Sequence, residues 1–108
     1  MDAKISLWEI LVPTHSNDQE EIPVEHHKEW DRYVESLAGG LTILKKSRGT
    51  WINSGGTKFQ ESMIPVRIAC DDEQIRKIAV FTAAHYNQEA VMYYTISHEV
   101  FIYEPSKS

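Results

Sequence analysis

The sequence predicts an α+β fold, an antiparallel sheet with two helices packed on one face. Three observations predict it. Two stretches place apolar residues at helical spacing, and each ends at a glycine or asparagine. Four stretches have strand patterning, either alternating or apolar on both sides. Taken in order they read strand, helix, strand, strand, helix, strand, with Gly55 and Gly56 at the turn between the two middle strands.

The first strand is Lys4–Val12. Ile5, Leu7 and Leu11 lie on one side and Trp8, Ile10 and Val12 on the other, which suits a central strand. Glu9 interrupts the first set, and Pro13 ends the strand. Thr14–Ile22 is polar and acidic and reads as a loop, with His15 solvated within it. Pro23 suits a helix first turn, where its missing N–H costs nothing. Val24–Leu37 then puts Val24, His27, Trp30, Val34 and Leu37 on one face, and Gly39-Gly40 is the stop.

Leu41–Lys46 is the second strand, continuing as a long arm toward Trp51, and Thr57–Met63 returns from the turn. Ile64–Cys70 alternates, with Ile64, Val66, Ile68 and Cys70 against Pro65, Arg67 and Ala69. Asp71 or Asp72 caps a helix over Glu73–Tyr86 that faces inward through Ile75, Ile78, Ala79, Thr82 and Tyr86. Tyr94–Tyr103 closes the sheet, with Ile96, His98, Val100 and Ile102 alternating against Ser97, Glu99, Phe101 and Tyr103. Glu104–Ser108 is a polar tail. Residues 1–108 thus read as one ferredoxin-like βαββαβ domain. Right-handed crossovers give its four strands the order 4-1-3-2, with an extended hairpin arm between the second and third.

Composition bounds function more than it defines it. A net charge of −5 argues against nucleic acid as a partner. The short basic run Lys45-Lys46-Ser47-Arg48 reads as a solvated strand edge. No apolar run approaches the roughly 20 residues that span a bilayer, and no leader pattern opens the chain, so the expected compartment is the cytoplasm. Cys70, the single cysteine, ends an apolar alternation and is expected as a buried thiol. Phosphate-loop, dinucleotide and serine-hydrolase motifs are absent.

Two helices cover one sheet face. The wholly apolar sets Trp8, Ile10, Val12, Ile64, Val66, Ile68, Val100 and Ile102 belong there. The other face holds Leu7, Glu9, Leu11, Arg67, Ala69, Glu99, Phe101 and Tyr103. An apolar face of that size calls for a cover, and a second copy is the simplest one, so a homodimer through Leu7, Leu11, Arg67, Ala69, Phe101 and Tyr103 is expected. Glu9, Arg67 and Glu99 fall near the middles of three adjacent strands. They form either a structural ion cluster that sets register or an acid–base site.

The remaining candidates are scattered. His85 and His98 join Glu9, Arg67 and Glu99 as catalytic candidates. Tyr86, Gln88 and Glu89, at the end of the second helix, could hold a small molecule or close the turn. Trp51 on the arm is a further ligand-binding candidate, and with Phe59 it flanks the turn and reads as an interface anchor rather than a stacking platform for bases. His26 and His27 point about 100° apart on a helix, and no HxH, HxxxH or CxxC pair occurs, so neither metal nor cofactor is expected. The reading is an interaction or small-ligand-binding domain, with a cofactor-free enzyme of the dimeric α+β barrel type as the alternative.

Trp30, Gly40-Leu41-Thr42, Gly49-Thr50-Trp51, Gly55-Gly56 and Gln88-Glu89 together resemble the pattern of the DUF3574 family of small bacterial proteins, over roughly residues 25–103. The resemblance implies the same architecture and carries no activity.

Overall fold

The computed structural model describes residues 4–105, with the Trp51 side chain outside the description. Its elements are β1 (Ser6–Pro13), α1 (Val24–Ala38), β2 (Thr42–Ile43), β3 (Ser47–Ile52), β4 (Lys58–Cys70), α2 (Asp72–His85) and β5 (Tyr93–Ser97). They build an antiparallel sheet with two helices, consistent with a ferredoxin-like fold.

The expected strand order 4-1-3-2 does not hold. The sheet has five strands in the order β2-β4-β1-β5, and β3 also pairs with β4. The difference arises in residues 41–52, expected as one strand. Ile43 pairs with Val66 and Ser47 with Met63, so one more residue lies between the pairs on this side than on β4. Pro65 sits opposite that break. Its carbonyl accepts from Leu44 N at 2.9 Å, but it has no N–H to return. A proline inside a sheet needs such a bulge, and the strand splits in two around it.

Beyond the bulge, β3 and β4 run out as a hairpin from Ser47↔Met63 to Ile52↔Lys58. Asn53 closes its turn: Asn53 N donates to Thr57 O, and Asn53 Oδ1 accepts from the N–H groups of Gly55 and Thr57. Gly56 takes φ +85°, which glycine adopts without a Cβ clash.

The core lies between the helices and one sheet face. Ile10, Val12, Val66, Ile68 and Cys70 come from β1 and β4, Trp30 and Val34 from α1, and Ile75 and Ile78 from α2. Each large aliphatic side chain buried there contributes about 1.5–3 kcal/mol. Trp30 Nε1 donates to Thr82 Oγ1 at 2.8 Å, and that hydroxyl donates to Ile78 O at 2.6 Å, so the two polar atoms inside the core are satisfied. Val24, expected on the inner face of α1, is 65% exposed in the first turn.

The helix ends follow local chemistry. Pro23 occupies the N-cap of α1, and Gly39 its left-handed C-cap at φ +83°, donating to Glu35 O. Asp71 and Gln74 form a reciprocal capping box at the start of α2, and Gln74 Nε2 also reaches Leu37 O on α1.

The closing strand is shorter than expected. β5 stops at Ser97 because its neighbour β1 begins at Ser6, and Leu7↔Ser97 is the last pair. Past that point there is no strand to bond to. Ser97 Oγ donates to Glu99 O and accepts from Glu99 N, turning the chain aside. Val100 and Ile102 therefore do not join the inner face, and Phe101 and Tyr103 do not join the outer one. Phe101, Ile102 and Tyr103 are 87%, 75% and 87% exposed.

Candidate functional site

On the sheet face without helices, Glu9 and Arg67 are direct cross-strand partners, and Tyr94 lies across from Glu9 on its other side. All three side chains therefore stand on one face. Arg67 Nε donates to Glu9 Oε1 at 3.0 Å, and the Tyr94 hydroxyl donates to Glu9 Oε2. The carboxylate is only 8% exposed although no helix lies above it. Both of its oxygens hold a donor, one of them cationic, which replaces the water a carboxylate loses in such a place. That bond to Glu9, with some desolvation, pushes the Tyr94 phenol up to about 12.

The expected third member does not take part. Glu99 lies past the end of β5, exposed, in the local turn with Ser97. Tyr94 fills its place in the cluster. His98 is also exposed, and its carbonyl accepts from Ser6 Oγ. Leu7, Leu11 and Ala69 flank the cluster half-buried.

A second group gathers where the start of α1 meets the end of α2. His26 and His85 stack with centroids 3.8 Å apart and planes 8° apart. Each ring lies beside the other's backbone: His26 Nε2 meets His85 O at 2.7 Å, and His85 Nε2 meets His26 O at 2.7 Å. A carbonyl only accepts, so both Nε2 atoms carry hydrogen and donate. The stack continues through Phe81 to Tyr33.

Beside it, His27 Nδ1 and the Tyr86 hydroxyl are 2.7 Å apart. Burial lowers the His27 pKa, helped by His26 and His85, and burial raises that of Tyr86. The neutral phenol donates and the neutral imidazole accepts. His26, His85 and Tyr86 line a cleft of about 300 Å³ together with Ser16, Glu20 and Glu21.

The other sequence candidates stay apart from both groups. Gln88 Oε1 is buried with no hydrogen-bond partner among the described residues, and Glu89 is exposed. Cys70 is buried, and burial with Asp71 and Asp72 nearby pushes its thiol up to about 12. Sequence reasoning missed Tyr94, whose pairing with Glu9 depends on the β1–β5 register. It also missed the meeting of His26 with His85, 59 residues apart.

No protein-family model matches the chain, and no curated protein matches it. Solved structures do. A phage SAM lyase in complex with S-methyl-5'-thioadenosine aligns with TM-score 0.66 at 12% identity, over 93% of this chain and 86% of that one. CutA1 from Shewanella sp. SIB1 aligns with TM-score 0.66 at 10% identity, over 97% and 89%. The periplasmic divalent cation tolerance protein CutA from Archaeoglobus fulgidus aligns with TM-score 0.61 at 10% identity, over 95% and 88%.

The fold is thus one shared with CutA1 proteins and a SAM lyase, and identities this low carry the fold alone. They overturn the resemblance to the DUF3574 family. Two of the short matches behind it contain punctuation of this fold: Gly40 of Gly40-Leu41-Thr42 follows the C-cap of α1, and Gly55-Gly56 lies in a hairpin turn. Among the described residues, no helix is long and apolar enough to cross a membrane.

Proposed function

We propose that the chain is a self-associating small-ligand-binding protein, its open sheet face covered by a second copy in a homodimer. The observation that carries this reading is Glu9, a carboxylate 8% exposed on a face that no helix covers. Leu7, Leu11 and Ala69 surround it, and Phe101, Ile102 and Tyr103 stand exposed just beyond β5. Burying several of these at about 1.5–3 kcal/mol each offsets the freedom lost on association. The reading takes residues 1–108 as one domain and places it in the cytoplasm, a compartment that a chain without a disulfide suits.

The ligand is a small organic anion held at the same face. Arg67 spends Nε on Glu9, and its side chain is 41% exposed. Its terminal amino groups make no hydrogen bond or ion pair among the described residues and can take a carboxylate or phosphate, and the Tyr94 ring offers an apolar wall. The enzymatic alternative would ask Glu9, which already accepts from Arg67 and Tyr94, to take a substrate proton on a remaining lone pair.

Thermal denaturation with millimolar phenyl phosphate or benzoate tests the reading. A ligand that binds only the folded state raises the melting temperature. The wild type is expected to shift upward and Arg67→Met to stay unchanged. Equal shifts in both, or none in the wild type, would remove Arg67 as the anchor.

A further inference from the structure

We propose that His26 and Glu29 form a binding site for a first-row divalent transition-metal ion such as Zn²⁺, separate from the sheet face, with the His85 ring stacked behind His26 and not ligating. Single donor atoms from His26, Glu29 and His85 lie within 4.8 Å of one another. His26 and Glu29 are three residues apart on α1, so they share a face of the helix, and His26 Nδ1 is 3.9 Å from Glu29 Oε2.

Nε2 of His26 donates to the His85 carbonyl at 2.7 Å, which selects the tautomer of the neutral imidazole that leaves its lone pair on Nδ1. Metal-binding histidines are held in this way, with the distal N–H on a backbone carbonyl and the other nitrogen left for the ion. Imidazole plus carboxylate is a donor set that suits Zn²⁺ and its neighbours.

The same geometry excludes His85 as a second ligand. An imidazole lone pair lies in the plane of its ring. The two rings are 8° from parallel with centroids 3.8 Å apart, so their lone pairs lie in separate planes and do not converge on one ion. His85 Nε2 is also committed to the His26 carbonyl.

A tetrahedral ion at ordinary bond lengths needs its N and O ligands about 3.4 Å apart, a little closer than here. Glu29 can close that gap, because its side chain is 56% exposed. Water from the adjoining cleft completes the coordination.

Calorimetric titration of the tag-free protein with Zn²⁺ alone tests the proposal, alongside ¹⁵N spectra of the histidine rings. Glu29→Gln at an exposed position preserves the fold and is expected to weaken Zn²⁺ binding roughly tenfold or more. His26→Gln is expected to abolish it. His85→Phe keeps the stack and the backbone carbonyl and is expected to retain affinity within about threefold. In the wild type, the His26 Nδ1 resonance should move on adding metal. Absence of Zn²⁺ binding, wild-type affinity in Glu29→Gln, or a loss in His85→Phe equal to that in His26→Gln would each overturn the proposal.

Discussion

Replacing Tyr94 by Phe removes one hydroxyl and nothing else from the Glu9 cluster. The lost bond leaves Glu9 Oε2 without its donor, in a place where the carboxylate is 8% exposed. A hydrogen bond to a charged acceptor contributes about 1.5–3 kcal/mol. Tyr94 is 38% exposed, so water replaces part of that bond, and the expected cost falls to about 1 kcal/mol. For a chain of this size that lowers the melting temperature by roughly 4–6 °C.

The effect has a pH signature. The bond to Glu9 pushes the phenol up from its ordinary value of 10.0 to about 12 in the fold. Its contribution is complete below pH 10 and is lost as pH rises toward 12, because the unfolded chain gives up the proton first. Urea denaturation at pH 8 and pH 11.5, followed by tryptophan fluorescence, measures the gap between wild type and variant. The gap should be about 1 kcal/mol at pH 8 and shrink at pH 11.5. Comparing the two proteins cancels groups common to both. A gap that is absent at pH 8, or unchanged at pH 11.5, would refute the hydrogen bond.

Other expectations follow from the core and the helix ends. Trp30→Phe loses the bond to Thr82 and leaves a void, costing about 2–4 kcal/mol by urea denaturation. Asp71→Ala breaks the capping box and should cost about 1 kcal/mol, read from a thermal melt. Cys70 should resist iodoacetamide at pH 8 until the protein unfolds, with labelling followed by mass spectrometry. His27 favours its neutral form when folded, so its contribution is present above pH 6.5 and lost as pH falls through the lowered value. His27→Gln should flatten the fall in urea midpoint between pH 7.5 and 5.5.

Elements governed by local periodicity were legible in the sequence. Trp30 and Val34, and Ile75, Ile78 and Thr82, face inward as helical spacing requires. The pairing of Glu9 with Arg67 was legible too, since each interrupts an apolar strand near its middle. What depends on register or on distant packing was not. Glu99 looked equivalent to Glu9 only while the last strand was assumed to run on to Tyr103, and the start of β1 at Ser6 denies it a neighbour there. Pro65 marked its own bulge, but the alternation around it concealed the split of the second strand. His26 and His85 meet through helix packing across 59 residues, and no spacing motif records that.

Light scattering of the wild type beside Leu11→Asp tests the central claim most directly. Leu11 is half-buried on the open face in line with Glu9, and its replacement places a charge where the partner's surface would exclude water. At micromolar concentration the wild type should run at twice its 12.5 kDa mass, and Leu11→Asp at 12.5 kDa with its helices intact by circular dichroism. A wild type of 12.5 kDa would contradict the account, leaving the open face without a second copy to cover it.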